Sequence, residues 1–242
     1  MQQAIIELFA DLPLQGPGCD EDTLEVLERI KRGLPSTPRI ADFGCGTGRS
    51  SLALARSLPN AKVTAVDALP LFIETLQERS RSLDLHERIQ VQVSDMLAPD
   101  MLPASLDLIW SEGAAYAVGF ETALRAWRPL LNENGRCVLS ECEWLAPDRP
   151  AEVQAFWDTH YPAMGDRTAN LAHAEAAGYR VMGTHELSAA GWTNYYSALA
   201  AAVDVNRTTL DPTFVQAIEQ EIAIRALGSH CFGYVFYLLE AS

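Results

Sequence analysis

The stretch 39–48 constrains the fold of this chain more than any other segment of its sequence. A short apolar run ends at Asp42, three alternating glycines follow, and a helical pattern begins at Arg49. Glycine lets a backbone adopt a positive φ and lets a ligand approach without meeting a Cβ atom. The following helix directs its free N–H groups and positive dipole end towards the turn. The stretch therefore predicts a nucleotide-type cofactor loop at the carboxyl end of a first strand, with a ligand-free turn as the alternative.

The glycine spacing distinguishes between two classes of cofactor. Gly44, Gly46 and Gly48 give G-x-G-x-G, whereas dinucleotide-binding loops carry G-x-G-x-x-G. A second apolar run ends at Asp67, about 20 residues beyond the loop, where an acid can accept hydrogen bonds from ribose hydroxyls. The spacing therefore favours a ribose-containing cofactor that has no pyrophosphate to bind.

Length, charge and cysteine content limit the remaining possibilities. The 242 residues, 48% of them hydrophobic, predict one α/β domain with an elaborated cap. A net charge of −14 disfavours nucleic-acid partners. The five cysteines lack C-x-x-C spacing, which favours buried thiols over disulfides or a metal site. Because the chain opens without a cationic and apolar leader and contains no long apolar run, we expect a cytoplasmic protein with no membrane partner.

Strand and helix patterns alternate along most of the chain, which predicts a doubly wound, mostly parallel sheet. We expect a helix at about 119–131 that stops at the Asn-Glu-Asn-Gly segment 132–135. The cofactor core would comprise about 37–142 with 178–187 and 231–240, and the cap about 1–36, 143–177 and 188–230. The predicted strands are 40–43, 62–66, 89–93, 106–110, 136–140, 179–187 and 231–239.

Four features, taken together in chain order, resemble the class I S-adenosylmethionine (SAM) dependent methyltransferases. They are the loop 42–48, Asp67, the Ser-Asp-Met turn 94–96 and the strand 107–110. The resemblance implies a Rossmann-like, seven-stranded sheet whose last strand is antiparallel, with 188–227 inserted before that strand. The segments 15–18, 110–116, 119–121 and 140–144 also look like those of a group of bacterial small-molecule methyltransferases whose substrate is not settled.

The resemblance also implies which residues bind SAM. Gly44 and Gly46 would contact its methionine part, and Asp42 would order the loop through backbone N–H groups. Asp67 would accept from the ribose hydroxyls, and Asp95 from the adenine amino group, although an aspartate at such a position can also simply form a turn. The complete set of expected cofactor residues is Asp42, Gly44, Gly46, Asp67, Leu69, Ser94, Asp95, Met96 and Ser111.

The chemistry implied is in-line methyl transfer from a sulfonium, which needs alignment and exclusion of water more than it needs acid–base groups. Where a base is required, Glu112 is the first candidate because it follows strand four, and His160 and Glu143 come next. Aromatic residues outside the core predict an acceptor pocket, although they could equally pack against one another. The expected substrate residues are Tyr116, Trp144, Trp157, Trp192 and Tyr195.

The sequence thus predicts a metal-free, SAM-dependent methyltransferase for a small organic acceptor, acting as a monomer or a homodimer. Two alternatives remain open at this point: a nicotinamide-dependent oxidoreductase on a similar sheet, and a SAM-binding module without catalytic activity.

Overall fold

The computed structural model describes residues 2–242 and contains one seven-stranded sheet in the order β3-β2-β1-β4-β5-β7-β6. The first five strands run parallel, and β7 lies antiparallel between β5 and β6. This architecture confirms the predicted doubly wound sheet and its antiparallel last strand. The strands are β1 (Arg39–Phe43), β2 (Lys62–Asp67), β3 (Ile89–Val93), β4 (Leu106–Ser111), β5 (Leu131–Trp144), β6 (Tyr179–Glu186) and β7 (Phe232–Ala241).

Helices cover both faces of the sheet, as parallel strands require because both of their faces must be buried. Buried side chains of α2, α3 and α4 pack on one face, and those of α5 and α7 pack on the other. The helices are α1 (Gln2–Asp11), α2 (Asp20–Ile30), α3 (Arg49–Ser57), α4 (Pro70–Ser82), α5 (Phe120–Trp127), α6 (Ala151–His160), α7 (Arg167–Ala176), α8 (Ala189–Asn206) and α9 (Pro212–Gly228).

A separate hydrophobic cluster joins the cap. It includes Leu8 of α1, Leu12 just after that helix, Leu199 of α8, and Val215 and Ile218 of α9, all of them buried. The N-terminal helix is therefore fixed to the helical pair between β6 and β7, although about 180 residues separate them along the chain. This packing holds the N-terminal segment over the carboxyl edge of the sheet.

The end of the predicted helix at about 119–131 is wrong, and so is the interpretation of 132–135 as its stop signal. Helix α5 ends at Trp127, because Pro129 cannot continue the backbone hydrogen-bond ladder, and a single 3₁₀ turn follows. Strand β5 begins at Leu131, which pairs with Leu106, and the pairing then shifts so that Leu108 lies opposite Arg136. The segment 132–135 is therefore an irregularity within β5, where Asn134 adopts a φ of 62°.

Strand β5 is also longer than the sequence pattern suggests, because it continues to Trp144. Its last residues pair with β7, with Glu143 opposite Gly233 and Trp144 opposite Phe232. These two residues consequently belong to the sheet and not to the cap. All five cysteines are buried and free of disulfide bonds. Within 2–242, none of the helices combines the length and the apolar character needed to cross a membrane.

Candidate cofactor crevice and adjoining aromatic cavity

The glycine loop leaves β1 in a conformation that only glycine adopts without strain. Gly44 and Gly46 have φ angles of 68° and 55°. The Gly44 N–H donates to the carbonyl of Val66 at 2.8 Å, which fixes the loop to the end of β2. A Cβ atom at Gly44 would lie 2.3 Å from the Cβ of Ala114. The loop therefore allows a closer approach between β1 and the segment after β4 than any side chain would permit.

Asp67 connects the loop to the end of β2. Its Oδ2 accepts from the Gly46 N–H at 2.9 Å, and its Oδ1 accepts from the Leu69 N–H at 2.9 Å. Burial raises the pKa of the Asp67 carboxyl, and these backbone hydrogen bonds offset part of that effect. The carboxylate is thus held in one position at the edge of a cavity.

That cavity, which we call the cofactor crevice, has a volume of about 540 Å³ and lies along the carboxyl ends of β1 to β4. Asp95 is exposed at its rim, with its Oδ1 accepting from the Leu97 N–H at 2.8 Å. The expected cofactor residues that line the crevice are Gly44, Gly46, Asp67, Leu69, Ser94, Asp95 and Met96.

The N-terminal segment forms one wall of the crevice through Gln15. Its Oε1 accepts from the Thr47 N–H and hydroxyl, both at 3.0 Å. Its Nε2 donates to the carbonyls of Phe9 at 2.8 Å and Leu12 at 3.2 Å. No local sequence pattern marks Gln15 for this role, because its partners lie in two separate segments of the chain.

Arg49 and Glu112 form an ion pair at the crevice between α3 and the end of β4. Glu112 Oε1 also accepts from Trp110 Nε1 and from the Thr23 hydroxyl, both at 2.7 Å. Both of its carboxylate oxygens therefore already have donors from the protein. Arg49 is the one lysine or arginine that lines the crevice in the described chain.

A second cavity of about 290 Å³, which we call the aromatic cavity, adjoins the crevice. The two share Gln15, Gly16, Pro17, Gly113 and Tyr116 as lining residues, so their spaces are adjacent. The other residues that line the aromatic cavity are Phe9, Cys142, Phe156, Trp157, His160, Tyr161, Trp192, Tyr195, Tyr196, Ile218, Glu221 and Tyr234.

Comparison with known proteins finds a family match for the first part of the core. Residues 40–135 match the methyltransferase domain family. The chain carries a methyltransferase domain. The matched segment includes the glycine loop, Asp67 and Asp95, all of which contribute to the lining of the crevice. The resemblance to class I SAM-dependent methyltransferases is thereby confirmed at the level of this domain.

Individual relatives agree with this domain assignment. Release factor glutamine methyltransferase of Moorella thermoacetica is 38% identical over 33% of this chain and 29% of its own length. The first three curated relatives are matched over only 21% to 29% of their length. Trans-aconitate 2-methyltransferase of Escherichia coli is 27% identical over 82% of this chain and 77% of its own. A SAM-dependent methyltransferase of Geobacter sulfurreducens, solved with S-adenosyl-L-homocysteine, has the same fold, with a TM-score of 0.82, 18% identity and 98% of each chain covered.

Two expected cofactor residues of the methyltransferase domain lie behind the crevice and do not line it. Asp42 is fully buried, and its Oδ2 accepts from the hydroxyls of Ser50 and Ser51 at 2.7 Å and 2.5 Å. The expectation that Asp42 accepts from loop N–H groups is therefore corrected. Its Oδ1 has no hydrogen-bond partner within 2–242, and burial raises the pKa of this carboxyl to about 7. Ser111 is likewise buried, without a partner for its hydroxyl in the same range.

Two further expectations, Glu143 and Trp144, are corrected by the extension of β5. Glu143 is fully buried and accepts from Arg167, from Asn170 at 3.0 Å and from the Tyr237 hydroxyl. Successive side chains of a strand alternate between the two faces of the sheet. Cys142 lines the aromatic cavity, so the side chain of Glu143 points to the other face. Glu143 therefore fastens α7 to the sheet.

Trp144 packs in the core with the Arg149 guanidinium 4.0 Å from its ring centre, and it lines neither cavity. The other aromatic residues expected at the substrate, namely Tyr116, Trp157, Trp192 and Tyr195, do line the aromatic cavity. His160 lines it too. Its ring is exposed, stacks on Phe156 at 4.1 Å between centres, and has Nδ1 2.8 Å from the Phe156 carbonyl oxygen.

Proposed function

We propose that this chain transfers the methyl group of SAM to a small organic acceptor. The observation that carries the proposal is the adjacency of the two cavities. The cofactor crevice opens at Gly113 and Tyr116 towards a smaller cavity walled by aromatic side chains. A cofactor in the first and an acceptor in the second would meet at this junction, which is what displacement at a methyl carbon requires.

The chemical character of the residues that line the crevice suits SAM. The glycine loop lines the crevice with backbone atoms at Gly44 and Gly46, which leaves a ligand free to approach them closely. In this proposal Asp67 accepts from the ribose hydroxyls with the lone pairs that its two backbone hydrogen bonds leave free. Leu69 packs on the adenine, and Asp95 with Met96 receives its polar edge. Arg49 is the cation that would face the cofactor's carboxylate.

Glu112 serves this site as an anchor for Arg49. A general base must have a free oxygen within reach of the proton that it removes. Both Glu112 oxygens are engaged by Arg49, Trp110 and Thr23, so we assign it to positioning the arginine side chain. Of the expected base candidates, His160 alone lines the aromatic cavity.

SAM supplies an activated methyl group on a sulfonium. The protein then has to hold the acceptor in line and keep water away from the junction. Gly16 and Pro17 of the N-terminal segment line both cavities and cover this junction, and Tyr116 presents an aromatic face there. The methyltransferase domain match and the glycine spacing both weigh against a nicotinamide cofactor.

Calorimetric titration of the purified chain with S-adenosyl-L-homocysteine, SAM and NAD tests the proposal. We expect saturable binding of the first two and none of NAD. Binding of NAD without binding of the SAM pair would reject it. Transfer of an isotopically labelled methyl group from SAM to members of an acceptor panel would then separate an enzyme from a binding module.

A further inference from the structure

The aromatic cavity contains a single carboxylate and no lysine or arginine among its described lining residues. This carboxylate belongs to Glu221 of α9. Its Oε1 accepts from the Tyr196 hydroxyl at 2.9 Å, and no hydrogen bond within 2–242 reaches its Oε2. The cavity therefore presents a negative group with one oxygen available to a ligand.

The side chain that would normally neutralise Glu221 is directed elsewhere. Arg225 follows it by four positions on α9, the spacing at which a helical ion pair forms. Instead, Arg225 donates to the Phe232 carbonyl at 2.7 Å, and its guanidinium lies 3.9 Å from the centre of the Trp192 ring. No ion pair to Glu221 occurs in the described part of the chain, although His160 lines the same cavity.

Partial burial makes this arrangement costly without a ligand. It raises the pKa of the Glu221 carboxyl, and the Tyr196 hydrogen bond and the nearby His160 ring offset only part of the rise. A half-buried acid without an ion pair is stabilised when a cation enters beside it. The cost is therefore relieved by a positively charged ligand and increased by a negatively charged one.

The surrounding rings favour the same kind of ligand. Tyr116, Trp157, Tyr161, Tyr195 and Tyr234 all line the cavity, and the negative face of an aromatic ring attracts an ammonium group. Arg49 lines the neighbouring crevice and not this cavity, and in the proposed function it faces the cofactor's carboxylate, so it is not offered to an anionic acceptor. Apolar walls with one charged group suit a small, mostly hydrophobic molecule.

We propose that the methyl acceptor is a small aromatic or apolar amine, bound in the aromatic cavity as an ammonium ion paired with Glu221. Only the role of this amine as methyl acceptor rests on the proposed function. The selectivity of the cavity for an amine can be measured without methyl transfer. The proposal concerns recognition and leaves the methylated atom open.

Two matched series of probes test the proposal on the full chain saturated with S-adenosyl-L-homocysteine. The first is 2-phenylethylamine, 2-phenylethanol and 3-phenylpropanoate, and the second is tryptamine, tryptophol and indole-3-propanoate. Saturation-transfer NMR measures binding for both series. We expect each amine to bind about tenfold or more tightly than its alcohol, and the carboxylates not to bind.

Glu221→Gln keeps the size of the side chain and an acceptor for Tyr196, and we expect it to abolish the preference for the amine over the alcohol. Glu219→Gln is the control, because this exposed neighbour on α9 pairs with Arg207 away from the cavity. Equal binding of amine and alcohol, binding of a carboxylate, failure of both amines to bind, or an unchanged preference in Glu221→Gln would each overturn the proposal.

The two hypotheses fail in different ways. If S-adenosyl-L-homocysteine does not bind but amines still bind selectively, the proposed methyltransferase function is wrong and the amine site stands. If it binds but the amine preference is absent, the function stands and the assignment of the acceptor class is overturned.

Discussion

The cofactor crevice and the aromatic cavity adjoin one another but are built in different ways. The crevice is built around the backbone turns at the ends of four parallel strands, with the N-terminal segment as a further wall. The aromatic cavity is made mainly by large side chains from α1, α6, α8, α9 and β7. The first is a consequence of sheet topology, whereas the second depends on how the cap packs.

The position of the crevice is therefore determined by the fold, whereas the shape of the aromatic cavity is determined by the side chains of this particular chain. Strand ends that meet at one edge of a sheet provide the same site wherever the fold occurs. A cavity between packed helices changes with each side chain that lines it. We therefore expect substitutions in the crevice to weaken cofactor binding, and those in the aromatic cavity to change ligand preference while cofactor affinity is retained.

The largest effect is expected at Gly44. Gly44→Ala combines a positive φ with a clash against the Ala114 Cβ, so S-adenosyl-L-homocysteine affinity should fall by about 3 kcal/mol or more. Gly113→Ala is the control, because Gly113 has a similar φ of 62° but open space where a Cβ would lie. Calorimetry should show a clearly smaller loss for this variant. Equal losses would mean that backbone strain, and not close approach, explains the glycine.

A smaller effect is expected at Asp67. Asp67→Ala removes the acceptor proposed for the ribose and two hydrogen bonds to the loop backbone, so SAM affinity should fall by about 1–3 kcal/mol. Asp100→Ala changes an acid that does not line the crevice and should leave the affinity unchanged. Calorimetric titration measures both variants. An unaltered affinity in Asp67→Ala would remove this residue from the cofactor site.

The predictability of the two regions follows the same division. Gly44, Gly46, Asp67 and Asp95 could be located from sequence because each stands at a strand end, and parallel strands bring those ends to one edge. Aromatic content outside the core indicated a second cavity, and Tyr116 and other rings do line it. Local patterns thus located the crevice residue by residue, but located the aromatic cavity only by composition.

The sequence predictions are wrong where contacts between residues far apart in the chain determine the position of a side chain. Arg49 and Glu112 are 63 positions apart, and nothing near either residue indicates that the two carboxylate oxygens are already occupied. The sequence pattern predicts a strand that ends at 140, which would leave Glu143 and Trp144 outside the sheet and able to face the site. The antiparallel pairing with β7 extends the strand and turns Glu143 to the opposite face. Glu221 has no motif, and its importance depends on where Arg225 points.

Two buried carboxyls that line neither cavity, Asp42 and Glu141, make the stability of the fold depend on pH. Burial raises the pKa of Asp42 to about 7 and that of Glu141 to about 8, from usual values of 3.8 and 4.5. Neither Glu141 oxygen has a hydrogen-bond partner within 2–242, although the nearby Tyr161 hydroxyl offsets part of the effect on its pKa. The folded protein then binds more protons than the unfolded chain, so its stability falls as pH rises through these windows.

Replacing either carboxyl should remove its share of this pH dependence. Glu141→Gln should raise the free energy of unfolding at pH 8 by about 1–2 kcal/mol and leave it unchanged near pH 4, because no charge is then buried. Asp42→Asn should reduce the fall in the free energy of unfolding between about pH 4 and pH 7. Urea unfolding across this pH range gives the measurement, with Glu133→Gln, an exposed site on the same strand, as control. A wild-type stability that rises with pH over the window would contradict the assignment.

The smallest effect tests whether the aromatic cavity is independent of the crevice. Trp157 lines the aromatic cavity, whereas Trp144 is buried nearby under Arg149 and lines neither cavity. Because a phenyl ring attracts a cation less than an indole does, Trp157→Phe should weaken 2-phenylethylamine binding by about 0.5–1 kcal/mol. Trp144→Phe should leave that binding unchanged, and neither variant should alter S-adenosyl-L-homocysteine affinity. If Trp157→Phe lowers cofactor affinity as much as it lowers amine binding, the two cavities act as one site, and the division between fold-determined and chain-specific parts fails.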